Sequence, residues 1–217
     1  MKFSRLVAPL SMALLCVLVL VGCVNMPYSI VGDDIPPTSR ITGWKQKPES
    51  LTVVISSPYV SETRGENGLE YAPHFSEWLA IRLQVELKSV SGILPTVKVV
   101  DDEYFDVVKE KVVDDESKIP YIKEGSNDSL HGMVLSISNI VFFRNIDPCA
   151  GENVCTRIEF PVMKGTYSFM DVDTRKVYGF GEFYVKDKIS SKKETGDWET
   201  AVNTMVKQIL WLTPLAK

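Results

Sequence analysis

GTYSFMDVDTRKVYGFGEF, residues 165–183, contains two runs of aromatic, apolar and β-branched residues on either side of a turn rich in aspartate. The first run covers residues 165–170, and the second begins at residue 177 and continues past the quoted stretch to residue 186. DVDTRK lies between them. Asp favours turns because its side chain bonds nearby backbone amides. Two such runs around a short turn predict a β-hairpin. The second half of the chain is therefore expected to form antiparallel sheet.

The segments around this hairpin predict more sheet and a final helix. Residues 132–143 form a long apolar run, and residues 157–162 alternate charged and apolar side chains, as half-buried strands do. Asp197 is expected to cap the last helix. Its apolar positions follow the spacing of one helical face: Trp198, Ala201, Val202, Met205, Val206 and Ile209.

The first half of the chain predicts alternating strands and helices. Strands are expected at residues 51–55 and 96–101, with a helix over about 73–90 between them. The spacing of apolar residues predicts a second helical segment over 101–113, and residues 118–129 are expected to be loop. This order predicts an α/β (α+β) sandwich, with helices packed on one mixed, largely antiparallel sheet.

The hairpin, with its Gly-x-Tyr strand and its Asp-centred turn into a Gly-rich strand, resembles a known group. The motif in residues 165–183 is similar to small envelope lipoproteins with a TolB amino-terminal-like fold, such as LpoB and YajG. The resemblance implies an α/β fold and a role in supporting other envelope proteins.

The start of the chain has the features of a bacterial lipoprotein signal. Lys2 and Arg5 precede an apolar stretch that is shorter than a membrane span needs. Leu20-Val21-Gly22-Cys23 resembles a lipobox, which implies cleavage before Cys23 and lipid attachment to it. The alternative is an ordinary signal peptide or an uncleaved anchor. Val24 follows in place of the aspartate typical of inner-membrane retention, which favours the outer membrane, facing the periplasm.

Three regions follow from this interpretation. Residues 1–22 are the signal peptide, residues 23–50 are a lipidated N-terminus with a Pro-containing tether, and residues 51–217 are a single periplasmic domain. Tyr28 and Trp44 are unusual for a tether, and docking of either one onto the domain would order part of it.

The remaining cysteines predict a disulfide. Cys16 lies in the signal and Cys23 is the predicted lipid site, so Cys149 and Cys155 remain as a pair in one short loop. A pair of this kind is expected to be bonded in the oxidising periplasm. A zinc site is the alternative, but it needs four ligands and no histidine or other cysteine is near in sequence.

The sequence offers little support for catalysis or nucleic-acid binding. The net charge of −4 provides no basic footprint for nucleic acid. The only histidines are His74 and His131, and no nucleophile elbow or phosphate-binding glycine loop is present. The acidic clusters at residues 101–103 and 114–116 lack calcium-loop spacing and are interpreted as a helix start and a solvated loop. No catalytic residue, metal or cofactor is therefore predicted.

One candidate partner surface lies on the first predicted helix. Trp78, Ile81 and Val85 form an apolar stripe nearly opposite a stripe of Leu79, Leu83, Leu87 and Val90, which is expected to cover the sheet. Arg82 and Glu86 lie between the two stripes, spaced to pair at i, i+4. Trp211, off the stripe of the last helix, is expected to pack against the tether; the alternative is a small exposed patch with Leu212 and Leu215. Either surface could instead pack against another part of the same domain.

These features favour a non-enzymatic, lipid-anchored accessory protein that binds another envelope protein. A rival hypothesis is an envelope hydrolase or a binder of a small apolar ligand, with a pocket lined by the aromatic residues of the hairpin: Tyr167, Phe169, Tyr178, Phe180 and Tyr184. A third is a subunit of a secretion or pilus assembly. The sequence does not identify the partner.

Overall fold

The computed structural model describes residues 38–60, 75–112, 115–126, 129–147, 158–186 and 194–216. All of them belong to one compact unit, Gly32–Lys217. The helices are α1 Phe75–Ser91 and α2 Glu194–Leu210. The strands, in chain order, are β1 Thr38–Ile41, β2 Thr52–Ser56, β3 Tyr59–Val60, β4 Thr96–Val100, β5 Phe105–Val112, β6 Asp115–Ile122, β7 Met133–Asp147, β8 Ile158–Asp171 and β9 Lys176–Lys186.

The main sheet is mixed, as predicted. Seven strands of the described chain form it in the order β1-β9-β8-β7-β2-β4, and β3 also pairs with β7. β7, β8 and β9 are antiparallel neighbours, whereas β2 runs parallel to both β4 and β7. Parallel neighbours need a crossover connection, and α1 forms part of the one between β2 and β4. The predicted fold class is confirmed.

The hairpin predicted from residues 165–183 is present, but its first strand is longer than expected. β8 runs without a break from Ile158 to Asp171, across the two segments, 157–162 and 165–170, that the sequence suggested were separate strands. Gly165 lies in the middle of β8, where a Cβ atom would be 2.5 Å from the ring of Phe183. Glycine is therefore required there for close packing, and it does not end the strand.

Both helices cover one face of the main sheet and form the larger core with it. Leu79, Leu83 and Leu87 of α1 are fully buried there. The predicted stripe of α2 is also buried along its whole length, from Trp198 to Ile209. α2 begins at Glu194, three residues before the cap that the sequence suggested at Asp197.

The opposite face carries a second sheet that the sequence did not predict. The helix expected over residues 101–113 is wrong, because only Asp102–Tyr104 form a short 3-10 helix and β5 follows it. The loop expected over 118–129 is also wrong at its start, since β6 pairs antiparallel with β5. Phe105 and Ile122 pack against Val54 of the main sheet. This tertiary burial outweighs the local helical spacing.

Part of the segment predicted as tether is built into the sheet and the core. β1 pairs antiparallel with β9. Trp44 is buried, with its ring centroid 4.9 Å from that of Phe169 and 5.8 Å from that of Tyr178. The predicted docking of Trp44 is confirmed.

No helix in the described part of the chain is long and apolar enough to cross a membrane. The predicted signal, Cys23, and the Cys149–Cys155 pair lie outside the described residues.

Candidate functional site

The outer face of α1, defined by Trp78, Ile81 and Val85, is the main candidate partner surface. Helical spacing places these residues away from the buried Leu83 stripe. Ile81 is 65% exposed and Val85 is 51% exposed. Trp78 is only partly buried, and its ring centroid lies 5.2 Å from that of Phe75. The alternative interpretation, that this face packs against another part of the domain, therefore holds in part for Trp78. Ile81 and Val85 remain exposed to solvent within the described structure.

Polar contacts to α2 fix one flank of α1. The Arg82 guanidinium lies 2.7 Å from the Glu86 carboxylate and 3.5 Å from that of Glu199. The predicted i, i+4 pair of Arg82 with Glu86 is therefore confirmed. The Asn203 amide donates to Glu86, which is buried. These contacts hold the two helices together, so the outer face of α1 is presented by a helix anchored on its inner side and on this flank.

The other flank of α1 lies beside β4. The Gln84 side-chain amide donates a hydrogen bond of 2.9 Å to the carbonyl of Pro95, just before β4. Leu94, which precedes Pro95, and Val99, which lies in β4, are both exposed. The outer face of α1 and the end strand of the sheet therefore belong to one side of the molecule.

The patch predicted at the C-terminus is smaller than expected. Trp211 and Leu212 are exposed within the described structure, which fits the alternative of a patch and not packing against the tether, but Leu215 is fully buried. The Thr213 hydroxyl donates to the carbonyl of Leu210 and accepts a bond from the amide of Leu215. This turn directs Leu215 back into the core, so the expectation that it is exposed is wrong.

The aromatic residues of the β8–β9 hairpin are divided between the two faces of the sheet. Tyr167 and Phe169 are fully buried in the core under the helices, and Tyr178 packs against that core. Phe180 is buried on the opposite face with Ile119. Those four residues are therefore packing residues on two faces, and the arrangement gives no support to one aromatic ligand pocket.

A cavity of about 430 Å³, which no feature of the sequence predicted, lies between the β5–β6 hairpin and β7. Asn139, at a bulge in β7, has a φ of 53°, and its amide donates to the Thr166 hydroxyl over 3.1 Å. Asn is one of the few residues that adopt this conformation readily. The lining residues are Asp102, Phe105, Val107, Lys109, Lys118, Ser138 and Asn139. The walls combine an apolar patch with side chains of both charges.

His131 takes part in an exposed turn. Its Nδ1 atom lies 3.1 Å from the Asp173 carboxylate, whose other oxygen accepts a bond from the amide of Gly132. The hydrogen bond from the Gly132 amide and that from His131 lower the pKa of Asp173. Asp171 accepts bonds from two amides of the same turn, which matches the predicted role of these aspartates as turn formers. His74 lies outside the described residues.

The acidic cluster at residues 101–103 begins a 3-10 helix, where Asp101 makes no side-chain cap. Of the second cluster, Glu116 lies in β6, where its carboxylate is 3.6 Å from the Lys109 ammonium. Within the described ranges, no group of three or more His, Cys, Asp or Glu side chains is placed to hold a metal ion.

No protein-family model and no curated protein matches the chain. Several solved structures do. The PelC dodecamer from Paraburkholderia phytofirmans is 14% identical, with a TM-score of 0.40, and the match covers 82% of this chain and 98% of that chain. A Xanthomonas campestris protein of the family DUF330 is 12% identical, with a TM-score of 0.39 and coverage of 82% and 94%. A minor lipoprotein from Acinetobacter baumannii is 10% identical, with a TM-score of 0.29 and coverage of 72% and 86%. Similarity at this level assigns no function.

Proposed function

We propose that this chain is a non-catalytic, lipid-anchored accessory protein of the bacterial cell envelope that binds another envelope protein. The observation that carries the proposal is the outer face of α1, where two large apolar side chains are open to solvent on a helix otherwise held by the core, α2 and β4. Solvent-exposed apolar patches commonly mark protein-interaction sites.

The energetic case rests on Ile81 and Val85. Complete burial of such a side chain contributes about 1.5–3 kcal/mol. Both are half exposed or more, so a partner covering them would gain a substantial part of that amount from each. The Trp78 indole, already partly ordered against Phe75, would lose little side-chain entropy on binding.

The lipobox-like Leu20-Val21-Gly22-Cys23 supports the anchored location. Val24 favours the outer membrane, with the domain facing the periplasm. Substitution Cys23→Ala is expected to abolish incorporation of labelled palmitate in a Gram-negative host and to release the chain from the membrane fraction. Labelling that persists in the variant, or an unlabelled wild-type chain, would contradict lipid attachment at Cys23.

Two matched double variants test the role of the outer face of α1. Ile81→Lys with Val85→Lys places charge on that face, and Val107→Lys with Val108→Lys does the same on β5, where the exposed fractions are 50% and 43%. In native gels of envelopes solubilised in mild detergent, the wild-type chain is expected to migrate in a complex larger than itself. Only the α1 variant should shift to the free chain.

Two outcomes of this comparison would contradict the proposal. A wild-type chain that migrates alone, or a β5 variant that shifts as much as the α1 variant, would count against the outer face of α1 as the binding surface. Far-UV circular dichroism of both variants confirms that each remains folded.

A further inference from the structure

β4 ends the main sheet, and its outer edge has no strand beside it in the described structure. On its inner edge β4 pairs parallel with β2 over all five of its residues. A strand at the end of a sheet offers its unpaired backbone groups to another strand unless something blocks them. The backbone chemistry of this edge therefore determines what can bind to it.

The unpaired groups belong to Val97 and Val99. The amide of Thr96 donates a bond of 3.1 Å to the carbonyl of Leu51, so the backbone groups of Thr96 face β2. Successive residues of a strand present their N–H and C=O groups to alternate sides. The N–H and C=O groups of Val97 and Val99 consequently point away from the sheet, and the side chain of Val99 is exposed.

The positive charge of Lys98 on β4 indicates which kind of strand can bind at this edge. Lys98 donates to the Ser129 hydroxyl over 3.0 Å, and its side chain is on the face opposite to Val97 and Val99. If two copies paired antiparallel through both valines, Lys98 of one copy would lie directly opposite Lys98 of the other. Like charges opposite each other destabilise a sheet, whereas opposite charges stabilise it.

We propose that the β4 edge binds an extended, antiparallel segment of a partner protein, with an acidic residue opposite Lys98 between two β-branched residues. The two flanking residues would exchange backbone hydrogen bonds with Val97 and Val99. Because α1 runs beside β4, the same partner can also cover the outer face of α1. This inference rests on the proposed function and specifies how the partner is held.

The test uses the full lipidated chain in detergent micelles and three synthetic peptides. The first is acetyl-Ser-Thr-Val-Glu-Val-Thr-Ser-amide. The second has Lys in place of Glu, and the third is N-methylated at both valines, which removes the N–H donors. In a ¹⁵N NMR titration, the first peptide is expected to shift the amide signals of Val97 and Val99 saturably.

The N-methylated peptide should bind at least about tenfold more weakly, the ratio that corresponds to the loss of one or two net hydrogen bonds, and the Lys peptide about threefold more weakly, as expected for an exposed charge pair. Failure of the first peptide to shift these signals at millimolar concentration overturns the proposal. Equal binding by the N-methylated peptide overturns it as well, because backbone pairing would then not be the mode of contact.

A pair of protein variants provides the matched control. Val99→Pro removes an N–H group that makes no bond to β2, so the fold should be kept while binding of the first peptide falls by at least about tenfold. Val99→Thr retains both the N–H group and β-branching and should bind as the wild type does. If both variants bind like the wild type, strand addition is wrong, yet the native-gel result for Ile81 and Val85 would still stand. If Val99→Pro is unfolded, the N-methylated peptide decides alone.

Discussion

Replacing Phe142 by alanine is expected to lower the free energy of unfolding by about 3–5 kcal/mol, the usual range for a large aromatic residue removed from a core. Phe142 is fully buried in β7. Its ring centroid lies 4.5 Å from that of Phe75 in α1 and 5.3 Å from that of Trp198 in α2. One side chain thus joins the sheet to both helices, and its loss leaves a cavity at their meeting point.

The neighbouring residue provides the control. Phe143 is only partly buried, and Phe143→Ala is expected to cost less than Phe142→Ala, because part of the Phe143 side chain is already in contact with water in the native state. Urea unfolding followed by far-UV circular dichroism measures both variants. Equal losses at the two positions would show that the core is not organised around Phe142.

The second large effect is expected at the contact between α1 and α2. Arg82→Leu leaves the buried Glu86 carboxylate with Asn203 as its remaining partner. Removing one member of a buried ion pair typically costs about 3–5 kcal/mol. Arg82 is 28% exposed, so solvent screens the pair in part and we expect a smaller cost of about 2–3 kcal/mol.

The double variant shows whether the cost comes from the uncompensated charge. Arg82→Leu with Glu86→Leu should recover to within about 1 kcal/mol of the wild type, because an apolar pair of similar volume avoids burying a charge.

The exposed pair of Lys109 and Glu116 is the control, and Lys109→Leu should change stability by less than about 0.5 kcal/mol. Urea unfolding again provides the measurement, and a double variant less stable than Arg82→Leu would contradict the account.

Local periodicity predicted the helices well. The residues Leu79, Leu83 and Leu87, and the stripe that begins at Trp198, repeat with the helical period and are all buried. A helical repeat of this length is not compatible with a strand, so contacts elsewhere in the fold could not change the secondary structure of these segments. The pairing of Arg82 with Glu86 followed from the same geometry.

The β5–β6 hairpin could not be predicted in this way. The apolar spacing from Tyr104 to Val112 fits a short helix about as well as a strand. What decides the outcome is burial of Phe105 and Ile122 against Val54, a contact between segments far apart in sequence. The cavity beside this hairpin was missed for the same reason.

The candidate site was predictable only in part. Helical spacing placed Ile81, Val85 and Trp211 off the buried stripes, but whether they are exposed or covered by another part of the domain was left open until the structure showed them exposed. The strand at Thr96–Val100 was also predicted, but its place at the end of the sheet was not. Its composition suits a central strand equally well, since sheet order depends on non-local pairing of β2 with both β4 and β7.

The two halves of the proposed binding surface have different physical roles. The outer face of α1 offers apolar area, which stabilises a complex without fixing its direction. The edge of β4 offers directional backbone groups and a charge at Lys98, which would set the register of the bound segment. A partner that used both would gain affinity from the first and specificity from the second.

Site-specific photocrosslinking in living cells tests the central claim most directly. A benzophenone amino acid is placed at Val85 on the outer face of α1 or, as the control, at Val108 on β5, both of them exposed positions. If a partner binds the outer face of α1, Val85 yields one reproducible adduct of defined mass and Val108 yields none, and the Val85 adduct is lost when Ile81→Lys is added. An adduct of equal yield from both positions, or no adduct from Val85, would contradict binding through this surface.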